Sequence, residues 1–313
     1  MKKINGKFFN QDIISVEQFS KGDIETVFQL ANFYKKGVEQ GSVFNDLKGK
    51  ILTALFYEPS SRTFGSFVAS IQRLGGGIIP LQGVTYSSVS KGETLEDTVR
   101  TFESYSDCIV MRHSEKGAAK RASSVLSIPL INAGDGTGEH PTQGLLDLFT
   151  IKDKLGRTNN MKVAFVGDLK YGRTAHSLSK LISIYPKTTL YFIAPPLSPM
   201  PDEVVKIVKK NGATVKTAKS IEEVLKTVDV LYMTRVQKER MEKSVYEKIK
   251  NAYILTGKMA RTMKKDSLIM HPLPRVGEIT EDVDSNPRAM YLKHQMRNGM
   301  FIRMALLRLI LKK

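Results

Sequence analysis

Residues 51–67 read ILTALFYEPSSRTFGSF. An apolar run of strand length, ILTALFY, stops at Glu58-Pro59. Two serines, an arginine and a threonine follow, and then the spacing turns helical. Over 63–74 it places Phe64, Phe67, Val68, Ile71 and Leu74 on one face. A buried strand that passes through a polar junction into an amphipathic helix is the repeating unit of α/β folds.

The unit recurs along the chain. Strand-like runs stand at 77–81, 107–111 and 129–134, and again at 162–167, 189–194, 228–233 and 267–271. Helical segments separate them. One, over 94–105, carries Leu95, Val99 and Phe102 behind a Thr94/Asp97 capping pair. Pro141 suits the first helical position of the next. Gly156 and the polar run RTNN break the chain and mark a domain boundary. The segment NGMFIRMALLRLIL closes the sequence as an amphipathic helix. The reading is α/β, with two domains, each a parallel sheet flanked by helices, and an active site in the cleft between them.

Composition bounds the function. The 313 residues suit two domains that each bury a core. Apolar residues at 41% and charged residues at 25% fit a soluble globular chain. No run approaches the ~18 to 20 apolar residues of a membrane span. The start, MKKINGKFFNQD, lacks the apolar stretch of a secretion signal, so the expected location is the cytoplasm. The single cysteine, Cys108, cannot form an internal disulfide and reads as core filler. The net charge of +17 raises the question of nucleic acid. The lysines are scattered, however, with mild clusters at 206–219 and 238–250 on segments that read as amphipathic helices. No aromatic-rich basic stripe accompanies them, so nucleic acid is not an expected partner. A solvated basic surface, or a field that attracts small anions, remains.

Chemically capable residues collect just past the carboxyl ends of strands, where open α/β sheets bind ligands. The first run leads into Glu58 and Ser60-Ser61-Arg62-Thr63, and the third into Arg112-His113. The fourth leads into GDGTGEHPTQ, and 162–167 into GDLKYGRT. Run 228–233 ends in TRVQKER, and 267–271 in HPLPR. A helix starting at Ser60 to Thr63 offers free N–H groups and a positive dipole end, and three hydroxyls with Arg62 add donors that match a phosphate. Plain capping needs only one hydroxyl. Glu58 reads as an ion-pair partner that orients the arginines. His140, at a helix start, should stay neutral and can polarise a carbonyl oxygen, with Gln143 facing the same way. Arg173 reads as an anion ligand, and Arg235 with Gln237 as a forked donor set for a carboxylate. The spacing of GDLKYGRT is not that of a dinucleotide turn. Loop GVTYSSVSKGET, with Ser87, Ser88, Ser90 and Lys91, is a surface loop that can also act as a lid. His113, His140, His176, His271 and His294 lack the paired spacings of zinc sites, so no metal and no cofactor are expected. With no Ser-His-Asp or Cys-His arrangement in view, direct transfer between two bound small molecules fits best.

The motifs SSRT, KGET, MRH, HPTQ, GDLKYGRT, TRVQKER and HPLPR, in that order, resemble the catalytic chain of the aspartate carbamoyltransferase family over nearly the whole sequence. The resemblance implies a carbamoyl-phosphate domain of residues 1–140 completed by a returning helix at 292–313. It implies an aspartate domain at 156–288 and a linking helix at 141–155. It implies that Ser60, Ser61, Arg62 and Thr63 hold the phosphate. Arg112, His140 and Gln143 would hold the carbamoyl group, and Leu273 and Pro274 would position it through their backbone. Arg173, Arg235 and Gln237 would take the aspartate carboxylates, with Leu273 adjoining. Ser87 and Lys91 match a loop that enters a neighbouring subunit's site, where Lys91 would serve both substrates, so a homotrimer with shared sites is implied. A regulatory chain or a dihydroorotase is the further partner this family suggests. Two positions depart from the pattern. Ser61 stands where threonine is usual, and Phe64 where many members have an arginine, which removes one salt link. The rival carbamoyltransferase, for ornithine, typically has H-C-L-P where this chain has His271-Pro272-Leu273-Pro274, and a Ser-Met-Gly loop where it has TRVQ. A non-catalytic basic binding protein of the same fold should have lost Arg62, His140 or Arg235, and all three are present.

Overall fold

In the computed structural model, which describes residues 2–83 and 88–313, the chain divides into two units. The first comprises residues 1–145 with 297–313, and the second residues 146–296.

Unit one is built on a four-stranded parallel sheet in the order β2-β1-β3-β4. The strands are β1 (Ile51–Phe56), β2 (Gly77–Gln82), β3 (Cys108–His113) and β4 (Leu130–Asp135). Register runs Leu52 beside Ile78 and Cys108, and Ile109 beside Leu130. Every residue of β4 and all but the first of β1 are buried. This is the near-continuous burial of parallel strands covered on both faces. The covering helices are α1 (Lys21–Glu39), α2 (Ser61–Arg73), α3 (Leu95–Glu103) and α4 (Ala118–Ser123). Helix α5 (Pro141–Leu155) begins in this unit and ends in the next. Val99, Ile109, Met111, Ala118, Ala122 and Leu130 form one apolar cluster of this core. Thr94 caps α3 in one direction only: its hydroxyl accepts from the Asp97 N–H at 3.1 Å, while the Asp97 carboxylate faces Arg100. Strand β3 runs two residues further than the apolar pattern suggests, because Arg112 and His113 keep the extended pairing.

Unit two carries a five-stranded parallel sheet in the order β7-β6-β5-β8-β9. Its strands are β5 (Lys162–Val166), β6 (Thr189–Ile193), β7 (Thr214–Thr217), β8 (Val230–Met233) and β9 (Leu268–Met270). Helices α6 (Arg173–Ser183), α7 (Asp202–Lys210), α8 (Glu222–Leu225), α9 (Lys243–Ile249) and α10 (Gly257–Arg261) connect them. Helix α11 (Met296–Leu311) then returns the chain to unit one.

Two segments differ from the sequence reading. Residues 206–219 are not one amphipathic helix: α7 stops at Lys210, Gly212 takes a φ of +96°, and Thr214–Thr217 pair with β6 as the edge strand. Three β-branched residues among the four, Thr214, Val215 and Thr217, favour the strand over the helical charge pattern there. Residues 238–250 divide into a short 3-10 turn, Lys238–Arg240, and α9. Cys108 is fully buried, and burial pushes its thiol pKa well up, as core filler requires.

Candidate active site

In unit one the chain leaves β1 toward β2 on one side and reaches β3 and β4 on the other. The carboxyl ends of β1 and β3 are therefore a topological switch point, where backbone loops diverge and leave a crevice. Glu58 to Thr63 follow β1, Arg112 ends β3, and His140 opens α5 after β4. The sheet thus gathers residues far apart in sequence. Thr63 Oγ1 lies 3.4 Å from His140 Nε2, and both residues are buried. Glu58 pairs with Arg112, Oε2 to Nε, at 3.4 Å. Arg112 is thus one arginine that Glu58 pairs with, in keeping with its reading as an ion-pair partner.

Ser60 stands at the N-cap of α2 with φ −160° and makes no side-chain capping hydrogen bond. Ser61 and Arg62 are exposed on the first turn. Where one hydroxyl would cap, Ser60 contributes none to the helix, which fits donors kept for a ligand. Phe64 meets the Phe56 ring edge-on at 5.3 Å, so an apolar contact occupies the place of the family's arginine. Gln143 is buried and its N–H bonds the His140 carbonyl at 3.0 Å.

His140 is held by the loop before it. Asp135 Oδ1 accepts from the Glu139 N–H at 2.9 Å and from Asn132 Nδ2 at 3.0 Å. Asp135 Oδ2 accepts from the Gly117 N–H at 2.8 Å. Gly136 has a φ of +49°, and a Cβ there would meet the Ser114 carbonyl oxygen at 2.5 Å. Only glycine lets the loop pass so close to its neighbour.

Lys91 ends a 3-10 turn, Ser88–Lys91, and is exposed; no described contact joins it to Thr63, Arg112 or His140. Ser87 lies outside the described residues.

Unit two repeats the device. Strand β5 lies between β6 and β8, so its switch point falls where β5 and β8 end. Gly167-Asp168 follow β5, Thr234-Arg235 follow β8, and His271–Pro274 follow β9. Asp168 is fully buried and organises this edge. Its Oδ1 accepts from the Tyr171 N–H at 3.1 Å and from the Ser198 hydroxyl, and its Oδ2 accepts from the Gln237 N–H at 3.2 Å. Arg173 is the first residue of α6 and is buried. Arg235 forms a two-pronged pair with Glu239, NH1 to Oε2 at 3.0 Å and NH2 to Oε1. That hydrogen-bonded carboxylate raises the Arg235 pKa above its ordinary value, so the guanidinium is charged at any working pH. Gln237 Oε1 accepts from Arg240 Nε at 3.0 Å, which leaves its amide nitrogen as a donor.

Leu273 sits at φ +55°, a region few non-glycine residues adopt, and its peptide to Pro274 is cis. Its N–H bonds His271 Nδ1 at 2.8 Å, and His271 Nε2 lies 2.6 Å from Glu278 Oε1. Glu278 Oε2 accepts from the Val276 N–H at 2.8 Å. Burial lowers the His271 pKa, against the pull of Glu278. Burial alone would raise Glu278, but the His271 hydrogen bond and the Val276 N–H bring it below its ordinary value. The pair is therefore neutral imidazole donating to carboxylate. Behind it, the His271 N–H bonds Gln295 Oε1 at 3.1 Å. Gln295 Nε2 and the Tyr232 hydroxyl both reach Asp147 at 2.7 Å.

Asp168, Glu239, Glu278, Asp147 and Asp135 escaped the sequence reading as supports. Each lies in or near a motif, but a carboxylate that braces a loop carries no spacing signature.

Two parallel sheets, each with a switch point fringed by arginine, hydroxyl, imidazole or amide donors, suit an enzyme that binds two small anions. The family model for the aspartate/ornithine carbamoyltransferase carbamoyl-P binding domain matches residues 11–153, and that for the Asp/Orn binding domain matches residues 159–310. This chain belongs to the aspartate/ornithine carbamoyltransferase family. It is 45% identical over 303 residues to the aspartate carbamoyltransferase catalytic subunit of Methanobrevibacter smithii, covering 96% of this chain and 95% of that one. To the chloroplastic aspartate carbamoyltransferase of Arabidopsis thaliana it is 44% identical, covering 97% and 79%. It is also 45% identical to a segment of the multifunctional protein pyr1-3 of Dictyostelium discoideum, of whose length it spans 13%. Aspartate transcarbamoylase of Trypanosoma cruzi, solved with carbamoyl phosphate and aspartate, superposes with a TM-score of 0.94 at 42% identity, covering 97% of this chain and 98% of that one.

Proposed function

We propose that this chain transfers the carbamoyl group of carbamoyl phosphate to the amine of L-aspartate, giving N-carbamoyl-L-aspartate and phosphate, a step of pyrimidine biosynthesis. The observation that carries the reading is the meeting of Thr63 and His140 at the unit-one switch point, beside a helix start whose cap hydroxyl is uncommitted to the helix. Ser60, Ser61, Arg62 and Thr63 hold the phosphate there. Arg112, His140 and Gln143 hold the carbamoyl group, helped by the backbone at Leu273 and Pro274. Arg173, Arg235 and Gln237 take the two carboxylates of aspartate.

The uncharged amine attacks the carbamoyl carbon and forms the new C–N bond. The developing oxyanion is stabilised by Arg112, His140 and the Thr63 hydroxyl. The bond to phosphate then breaks, and phosphate leaves with the proton lost by the amine. Holding two anions together against their repulsion is a large part of the catalysis. The working protein is a cytoplasmic homotrimer in which Ser87 and Lys91 serve a neighbouring subunit's site. Neither a nucleic acid nor a membrane takes part, and no described helix is long and apolar enough to cross one.

The test is product identification by mass, with carbamoyl phosphate and either L-aspartate or L-ornithine. Carbamoyl-aspartate alone is expected, and citrulline would overturn the acceptor assignment. Arg62→Ala should lose most carbamoyl-phosphate binding, while Arg235→Ala mainly raises the aspartate KM. Equal and slight effects on both substrates would overturn the residue roles. Light scattering should give a trimer, and a fully active monomer would rule out the shared site.

A further inference from the structure

Two hydroxyls lie on opposite sides of the His140 ring. Nε2 lies 3.4 Å from Thr63 Oγ1, on the side given above to the carbamoyl oxygen, and Nδ1 lies 3.5 Å from Thr142 Oγ1. A neutral imidazole has one N–H and one lone pair, so the location of its single hydrogen decides whether the ring can donate toward Thr63 or only accept.

Thr142 is fully buried and meets a second group. Arg303, on α11, points NH2 at Thr142 Oγ1 (3.4 Å) and NH1 at Ser66 Oγ (2.9 Å), with its guanidinium 5.1 Å over the Phe67 ring. Arg303 itself is only 3% exposed. A guanidinium has donors and no acceptor, so Thr142 must accept from it. The Thr142 hydroxyl hydrogen is then free to point at His140 Nδ1. In the opposite arrangement, Nδ1–H and Arg303 both donate to one hydroxyl oxygen, and the hydroxyl hydrogen of a buried residue has no described acceptor. Burial without a partner disfavours that arrangement.

We propose that Arg303 is a positioning residue which, through the Thr142 hydroxyl, holds His140 with its hydrogen on Nε2, so that the ring donates to the carbamoyl oxygen. Arg303 does not touch substrate; it acts from the returning C-terminal helix, 161 residues from Thr142. This role gives the helix a part in the chemistry in addition to its burial in the unit-one core. The inference rests on the carbamoyl-transfer reading for its consequence, while the tautomer itself does not depend on it.

The experiment is nitrogen-15 NMR of histidine-labelled full-length protein, with the His140 signals identified by their loss in His140→Gln. The wild-type ring should show the Nε2–H pattern. Thr142→Val keeps the shape and removes the hydroxyl; it should let the Nδ1–H form appear and lower kcat by about 10- to 100-fold, with the aspartate KM within about twofold. Thr142→Ser should restore both the tautomer and kcat, which a purely structural role of the methyl group would not do. Arg303→Met should shift the tautomer in the same direction, and Arg303→Leu, also without a donor, serves if the methionine variant does not fold. A wild-type Nδ1–H ring, or an unchanged tautomer in folded Thr142→Val, overturns the relay. A shift with Thr142→Val but none with either Arg303 variant removes Arg303 from it. Failure of the wild type to make carbamoyl-aspartate would instead refute the parent reading, whatever the ring shows.

Discussion

Replacing Glu278 should loosen the loop that carries Leu273, and the structure sets the size of the effect. Glu278 is 7% exposed and holds two donors, His271 Nε2–H at 2.6 Å and the Val276 N–H at 2.8 Å. Glu278→Ala leaves both without that acceptor, and His271 sits 1% exposed, where water does not readily substitute. The buried His271 hydrogen bond to this charged group contributes about 1.5 to 3 kcal/mol, and that of Val276, which is exposed so that water can partly replace the acceptor, about 0.5 to 1, so the loss is about 2 to 4 kcal/mol. At about 1.4 kcal/mol per tenfold, amide exchange in β9 should quicken by ~30- to 900-fold if those amides open through unfolding of unit two. Glu278→Gln keeps an acceptor oxygen and should cost less than half as much.

Acid provides an independent arm. Both pKa values are lowered in the folded chain, His271 from an ordinary 6.5 and Glu278 from 4.5. The unfolded chain therefore binds protons that the native one refuses. The contribution of His271 is complete above pH 6.5 and declines as the pH falls below it; that of Glu278 is complete above 4.5 and is lost further down. Wild-type β9 protection, corrected for intrinsic exchange, should fall from pH 7.5 to 5.5, and in Glu278→Ala the fall should change. Exchange in Glu278→Ala within about threefold of wild type at pH 7.5 would refute the reasoning, since it would mean that the clamp holds nothing.

Three further outcomes are expected. Asp168→Ala should raise the aspartate KM by more than about tenfold while carbamoyl-phosphate affinity by calorimetry stays put, because Asp168 braces Tyr171, Ser198 and Gln237 within unit two only. Gly167→Ala should cost at least about 3 kcal/mol in chemical denaturation or abolish soluble expression, since its φ is +116° and a Cβ would sit 2.2 Å from the Thr234 carbonyl oxygen. A soluble variant of wild-type stability would contradict the close approach of β5 and β8. With a net charge of +17 and anionic substrates, kcat/KM should drop about threefold or more between ~10 and ~200 mM salt; an invariant value would mean that the charge plays no part in substrate capture.

The sequence by itself determined most of the strands and helices and marked the residues proposed to bind. The apolar runs became strands because parallel strands buried on both faces must be apolar nearly throughout, as β1 and β8 are. Arg62, His140 and Arg235 stood out as candidates because anion chemistry requires those residue types and α/β sheets present them just after strands. The edge strand β7 was not legible: with one neighbour and little burial, Thr214–Thr217 carry polar residues and no apolar run. Tertiary structure alone decided which residues support which. Glu58 reached Arg112, 54 positions away in sequence, since β1 and β3 are adjacent. Glu278 found His271, Asp168 found Gln237, and Arg303 found Thr142 across 161 residues. Binding chemistry is local and leaves a motif, whereas bracing needs only one oxygen or one donor at the right point in space, and any distant residue that the fold brings there can supply it.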